Sequence, residues 1–138
     1  MLSCKFLLLA ALALVSLVSA EEIDFTGRYK MTVSDSDNYN ALLKELDIGY
    51  FKRLAATNSN SEYVITQDKA AGTYTLQSIT TFADSSVTFE SGVTFKEARA
   101  DGQTVDSTIT IEGNKWTHVQ AGNPTVTIER TFNGKVMM

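Results

Sequence analysis

Val126-Thr127-Ile128-Glu129-Arg130-Thr131-Phe132 alternates with a period of two, as a half-buried β-strand does. Val126, Ile128, Arg130 and Phe132 share one face, while Thr127, Glu129 and Thr131 share the other. The apolar partners mark the first face as inward, and Arg130 goes in with them. A guanidinium keeps its proton in a protein, so it must be paired or stay wet. Two arrangements meet that demand. One is an internal ion pair with Asp or Glu, or a position at a sheet margin. The other is a barrel whose inside is a cavity, where a ligand anion is the partner.

The chain around this strand reads as more of the same. Residues 25–33 form a first strand, with Tyr29, Met31 and Val33 on one face. Ser34-Asp35-Ser36-Asp37 breaks it with residues that favour turns and helix caps. Tyr39, Leu42, Leu43 and Leu46 then stand at helical spacing over residues 38–46. After Asp47-Ile48-Gly49 a second short helix covers residues 50–57, with Phe51, Leu54 and Ala55 apolar and Lys52-Arg53 polar. Lys52-Arg53 is read as a solvated helix face or a docking patch at a portal. From residue 62 onward the pattern is strand and turn, with strands at 62–67, 73–81, 86–89, 93–98, 104–111, 115–120 and 125–132. Asn133-Gly134 closes the last of these as a hairpin turn. Turn signals at regular spacing predict an up-and-down antiparallel meander closed as a barrel, with a two-helix lid after the first strand.

The inward faces are mixed. Tyr74, Leu76, Ser78 and Thr80, then Val105, Ser107, Ile109 and Ile111, then Trp116, His118 and Gln120 fall on apolar-biased parities. A dry core would leave the hydroxyls, the imidazole, the amide and Arg130 short of partners, whereas a water-containing pocket for an amphipathic ligand satisfies them. His118 is the only histidine and reads first as a hydrogen-bonded internal residue. No metal site and no cofactor site are expected: one histidine makes no zinc site alone, and no phosphate-binding glycine motif occurs. No nucleophile motif is present, and the acids read as lying on loops and outer faces, so no enzyme is expected.

The first 20 residues carry Lys5, an apolar run from Phe6 to Val18, and small residues before Glu21-Glu22. This predicts a secretory signal peptide over residues 1–20, cleavage after Ala20 and an extracellular product. The run is too short for a comfortable membrane span. Of 138 residues, losing 20 leaves 118, enough for one domain over residues 21–138. Loss of Lys5 lowers the basic count from 12 to 11 against 16 acids, a charge near −5. That balance argues against nucleic acid as a main partner. Cys4 leaves with the signal, so the domain is held without disulfides.

Several short segments together resemble the intracellular lipid-binding protein family, the fatty-acid-binding and cellular retinoid-binding proteins. Phe25-Thr26-Gly27-Arg28-Tyr29-Lys30-Met31 is similar to that family's first strand, and Asn38-Tyr39-Asn40-Ala41-Leu42-Leu43 with Ile48-Gly49-Tyr50 to its helix pair. Thr80-Thr81-Phe82, Gly92-Val93-Thr94-Phe95, Ala100-Asp101-Gly102 and Glu112-Gly113-Asn114-Lys115 follow in the family's order. The resemblance implies a calycin-like β-clam of ten antiparallel strands around a wet cavity, holding a fatty acid, a retinoid or a similar apolar carboxylate as a non-covalent, monomeric carrier. It implies Arg130, His118 and Gln120 at the ligand head group, and Tyr39, Leu43 and Phe82 at the portal. Tyr74, Leu76, Ser78, Ile109, Trp116 and Ile128 are the expected cavity lining. The sequence departs from the family pattern in four ways. It ends at Val136-Met137-Met138, in what would be the ninth strand, before the family's Arg-x-Tyr strand. It is two residues longer between Ser34 and Asn38. Asn40 stands where an acid is usual and Gln103 where an arginine is usual. It also carries a signal peptide that most of the family lacks. The alternative reading is a secreted structural or protective barrel with no specific ligand.

Overall fold

The computed structural model of the chain describes residues 22–81 and 84–138. The expected signal peptide lies outside the described residues. Among the described residues nine strands and two helices follow in order: β1 (Gly27–Lys30), α1 (Ser36–Glu45), α2 (Tyr50–Thr57), β2 (Glu62–Asp68), β3 (Thr73–Ile79), β4 (Asp84–Phe89), β5 (Phe95–Ala98), β6 (Thr104–Glu112), β7 (Lys115–Ala121), β8 (Val126–Asn133) and β9 (Val136–Met137). Every ladder is antiparallel and joins sequence neighbours. The strands make two sheets, β1-β2-β3-β4 and β5-β6-β7-β8-β9. Among the described residues no ladder links β4 to β5 or β1 to β9, and the two facing sheets form the expected antiparallel β-clam.

The alternation of the sequence sets the inner surface. On β7, Trp116, His118 and Gln120 are buried while Val119 is exposed. On β6, Val105, Ser107 and Ile109 are buried while Thr104 and Asp106 are exposed. A core of Phe25, Ile65, Leu76, Phe89, Ile109, Trp116 and Phe132 fills one end of the clam. Phe25 plugs this end, with ring centroids 4.9 Å from Phe132 and 5.3 Å from Trp116. Edge-to-face pairs at these separations contribute roughly 0.5–1.5 kcal/mol each beyond their buried area.

The first strand is shorter than the sequence pattern predicts. Val33 is 89% exposed and Met31 is exposed, and the β1–β2 ladder ends at Lys30↔Glu62, with one further backbone hydrogen bond from Met31 to Ser61. The chain turns there into α1, two residues earlier than expected. The Asp35 carboxylate caps α1 by accepting from the Asn38 N–H at 3.1 Å. The β8–β9 hairpin pairs Asn133↔Val136, so its two turn residues are Gly134 and Lys135. Gly134 takes the positive φ of 60° that this tight turn requires.

The lid is held by one face of α1 and by the segment after it. Leu43, Leu46 and Ile48 cluster with Val126, and Ala56 and Ile128 pack against them. The second helix has no buried residue, and its Phe51 is 83% exposed. Arg53 is not a solvated cation: its Nη1 donates to the Ile48 carbonyl at 2.5 Å and its Nε to Asn40 Oδ1 at 3.1 Å. It pins one helix to the other, while Lys52 beside it is exposed.

Candidate functional site

The inner faces meet in a cavity of about 150 Å³. Tyr63, Leu76, Ser78, Ser85 and Val87 line it from the four-stranded sheet, and Glu97, His118, Gln120, Ile128 and Arg130 from the five-stranded one. The ladders explain how the polar groups meet. His118 stands opposite Ile109 and Ser107 opposite Gln120, so Ser107 lies diagonal to His118 across β6 and β7. On the other side of β6, Glu97 pairs with Val105 and sits diagonal to Ser107. On β8, Arg130 pairs with Trp116, one diagonal step from His118.

The result is a chain of hydrogen bonds across four strands. Glu97 Oε2 accepts from Ser107 Oγ at 2.6 Å and contacts His118 Nε2 at 2.8 Å. On the far side of the imidazole, Arg130 Nη1 lies 3.4 Å from Nδ1, at the long end of a hydrogen bond. The Arg130 guanidinium carbon also sits 5.6 Å from the centre of the Tyr63 ring, a cation–π contact. Burial pushes the Glu97 carboxyl up, but the donors His118 and Ser107 outweigh it and hold the group below the ordinary carboxylate range. Burial likewise pulls the Arg130 guanidinium below its ordinary value, opposed by Tyr63 and by the charge of Glu97. Arginine remains charged through shifts of this kind.

Arg130 is 7% exposed, and among the described residues no Asp or Glu oxygen lies within 4.0 Å of its side chain. The direct ion pair considered from the sequence is therefore not formed; the nearest acid, Glu97, is reached only through His118. A guanidinium has five N–H donors in a planar fork that suits a carboxylate. This one lines the cavity.

Of the residues expected to line the cavity, Leu76, Ser78 and Ile128 do so. Tyr74, Ile109 and Trp116 share the inward parity but lie in the end that Phe25 plugs, so they pack in the aromatic core instead. The indole Nε1 of Trp116 has no hydrogen-bond partner there. Arg130, His118 and Gln120 all reach the cavity. Of the portal residues, Tyr39 is exposed on α1, Leu43 is buried in the cluster that fastens the lid, and Phe82 lies outside the described residues. The expectation that acids occupy only loops and outer faces is corrected by Glu97. Its strand is four residues long, and Phe95-Lys96-Glu97-Ala98 shows its parity only through Phe95. Tyr63 was also missed; it shares a face with the buried Ile65, which was the available signal.

A second polar cluster went unread. Arg99 and Asp101 form a buried ion pair, Nη2 to Oδ2 at 2.6 Å with Nε at 2.9 Å. Arg99 Nη1 donates to the Pro124 carbonyl at 2.7 Å, and Gln103 Nε2 donates to the Asn123 carbonyl at 2.8 Å. The hydrogen bond from Arg99, aided by its charge, holds the Asp101 carboxyl below the ordinary range. This clamp ties the turn before β6 to the loop before β8. Among the described residues no cluster of three or more His, Cys, Asp or Glu is placed to hold a metal ion, and no helix is long and apolar enough to cross a membrane.

No family model matches the chain. It is 36% identical over 112 residues to a fatty acid-binding protein of Tyrophagus putrescentiae, covering 80% of this chain and 82% of that one. Among solved structures, the fatty acid-binding protein from brain tissue of Drosophila melanogaster superposes with a TM-score of 0.74 at 36% identity, over 80% of this chain and 84% of that one. A Schistosoma mansoni fatty acid binding protein, solved in complex with arachidonic acid, gives a TM-score of 0.74 at 27% identity over 82% of each chain. With the helix pair after β1, the two facing sheets and these similarities, the chain belongs to the intracellular lipid-binding proteins, the family of the fatty-acid-binding and cellular retinoid-binding proteins.

Proposed function

We propose that this protein is a secreted, non-covalent carrier of a fatty acid or a similar apolar carboxylate, with the head group at Arg130 and His118 and Gln120 beside it. The observation that carries the reading is a buried guanidinium that faces a cavity without a direct carboxylate partner. The names of its relatives support the ligand class. The signal-like first 20 residues support secretion. An acyl tail gains roughly 0.8 kcal/mol for each methylene removed from water, so the tail supplies most of the affinity. The arginine sets the preference for an anion. A cavity of about 150 Å³ is well under the roughly 300–1,000 Å³ of small-molecule sites, so the clam opens to admit the tail.

The test compares a fatty acid with the fatty alcohol of equal length. A hydrogen bond to a charged group contributes about 1.5–3 kcal/mol, so Arg130→Gln weakens the acid by about tenfold or more and leaves the alcohol nearly unchanged. Equal losses for both ligands would assign Arg130 to the fold and leave the head group without its anchor. For secretion, N-terminal sequencing of exported protein reads Glu21 first; a soluble product retaining Met1 contradicts it.

A further inference from the structure

A carboxylate at Arg130 would be the second negative charge in a cavity whose wall already holds Glu97. We infer that His118 takes up a proton at Nδ1 when an anionic lipid head binds at Arg130, so that the site receives a fatty acid and a proton together. The inference rests on the fatty-acid reading above and deepens it by naming the group that completes the anion site.

The geometry fixes which nitrogen is free. His118 Nε2 lies 2.8 Å from Glu97 Oε2, which also accepts from Ser107 at 2.6 Å. A carboxylate only accepts, so the imidazole proton is on Nε2, and in the neutral ring the lone pair is on Nδ1. That atom is 3.4 Å from Arg130 Nη1, and both residues line the cavity. The charged and titratable groups around the ring are Glu97 from β5, Arg130 from β8 and the phenol of Tyr63, which lines the same cavity from β2. Phe95 of β5 packs on the ring with centroids 6.2 Å apart, and Ser107 and Gln120 are neutral. With no ligand bound, one positive and one negative group are balanced across the imidazole.

An ionised ligand head upsets that balance inside a desolvated site, which is costly for an uncompensated charge. A proton from the buffer acid, bonded to the Nδ1 lone pair, restores it. The new Nδ1–H then donates to the ligand carboxylate, in place of the long contact with Arg130. Glu97 does not take the proton, because its donors already hold it in the ionised form.

Titration calorimetry of palmitate into the purified protein at about pH 8, where an imidazole in water is largely neutral, reads the proton directly. The binding heat in phosphate and in Tris differs by the buffers' ionisation heats multiplied by the protons taken up. For the wild type the difference corresponds to about one proton per ligand; for the matching alcohol it corresponds to none. His118→Gln removes the uptake and weakens palmitate, whose residual binding is read without buffer dependence. Glu97→Gln is the second variant and serves if the first does not fold. It leaves Arg130 uncompensated, so the ligand itself restores neutrality and the uptake disappears. Palmitate binding to the wild type with no buffer dependence overturns this inference and leaves the fatty-acid reading standing. Uptake that persists in the variants means that the ligand enters as the neutral acid, and overturns it as well. Absence of any palmitate binding overturns the fatty-acid reading and this inference with it.

Discussion

Gly122→Ala tests the clamp that joins the two loops at this end of the five-stranded sheet. A Cβ built on Gly122 lies 2.8 Å from Val105 Cγ1 and 2.9 Å from both Nη1 and Nη2 of Arg99. Carbon atoms sit best at about 3.5–4.0 Å, so the valine must give by roughly 0.7–1.2 Å. Val105 is buried on β6 and has little room to move. The guanidinium is tethered to Asp101 on one side and to the Pro124 carbonyl on the other, so it cannot retreat without losing a hydrogen bond. Overpacking of this kind costs about 1–3 kcal/mol. The backbone of Gly122 lies outside the left-handed region, so alanine adds no strain there and gains about 0.4–1 kcal/mol by restricting the unfolded chain. Taking the middle of each range, the balance is a loss of about 1.3 kcal/mol. Urea unfolding followed by tryptophan fluorescence measures it, and with a slope of 1–3 kcal/mol per molar the midpoint falls by roughly 1 M. A midpoint that stays or rises would refute the reasoning: the clamp would then be loose enough to absorb a methyl group.

Acid dependence follows from Glu97. Its folded value is depressed, so its contribution is complete above the ordinary carboxylate value of about 4.3 and is lost as pH falls through the lower folded value. The stability gap between wild type and Glu97→Gln, measured by urea unfolding, narrows as the pH drops below about 4.3; a gap that stays constant contradicts the shift. The lid gives a second expectation. With no buried residue in α2 and Leu43 as the buried residue of α1, amide exchange over residues 36–57 is faster than in β6, β7 and β8, and equal protection would count against a lid that opens.

The fold was legible because period-two alternation and turn residues act locally. The inward parity of β7 and β8 needed nothing beyond the sequence, and the structure buries Arg130, His118 and Gln120 on it. What stayed hidden depends on contacts between distant segments. Nothing within residues 93–98 says that Glu97 meets His118 of another strand, and the single inward neighbour Phe95 is a weak parity signal. Parity also cannot say how far along the clam a residue lies, so Trp116 and Ile109 read as cavity lining although Phe25 seals their end. The side chains that pack beneath the lid come from α1 and the segment after it, from Ala56 of α2 and from β8, a set that no one stretch of sequence brings together. Arg99 shows the same limit. Its partners Asp101 and Gln103 are close in sequence, but the carbonyls of Asn123 and Pro124 that complete the clamp are not.

The most direct measurement is a crystal structure of the protein with palmitate bound. The account predicts the carboxylate inside the clam, with an oxygen about 2.7–3.0 Å from the guanidinium of Arg130 and within hydrogen-bond reach of His118 Nδ1. A palmitate whose carboxylate lies outside the clam beside the exposed Lys52, or whose chain occupies the hollow between Leu42 of α1 and Val126 of β8 with Arg130 untouched, would contradict it.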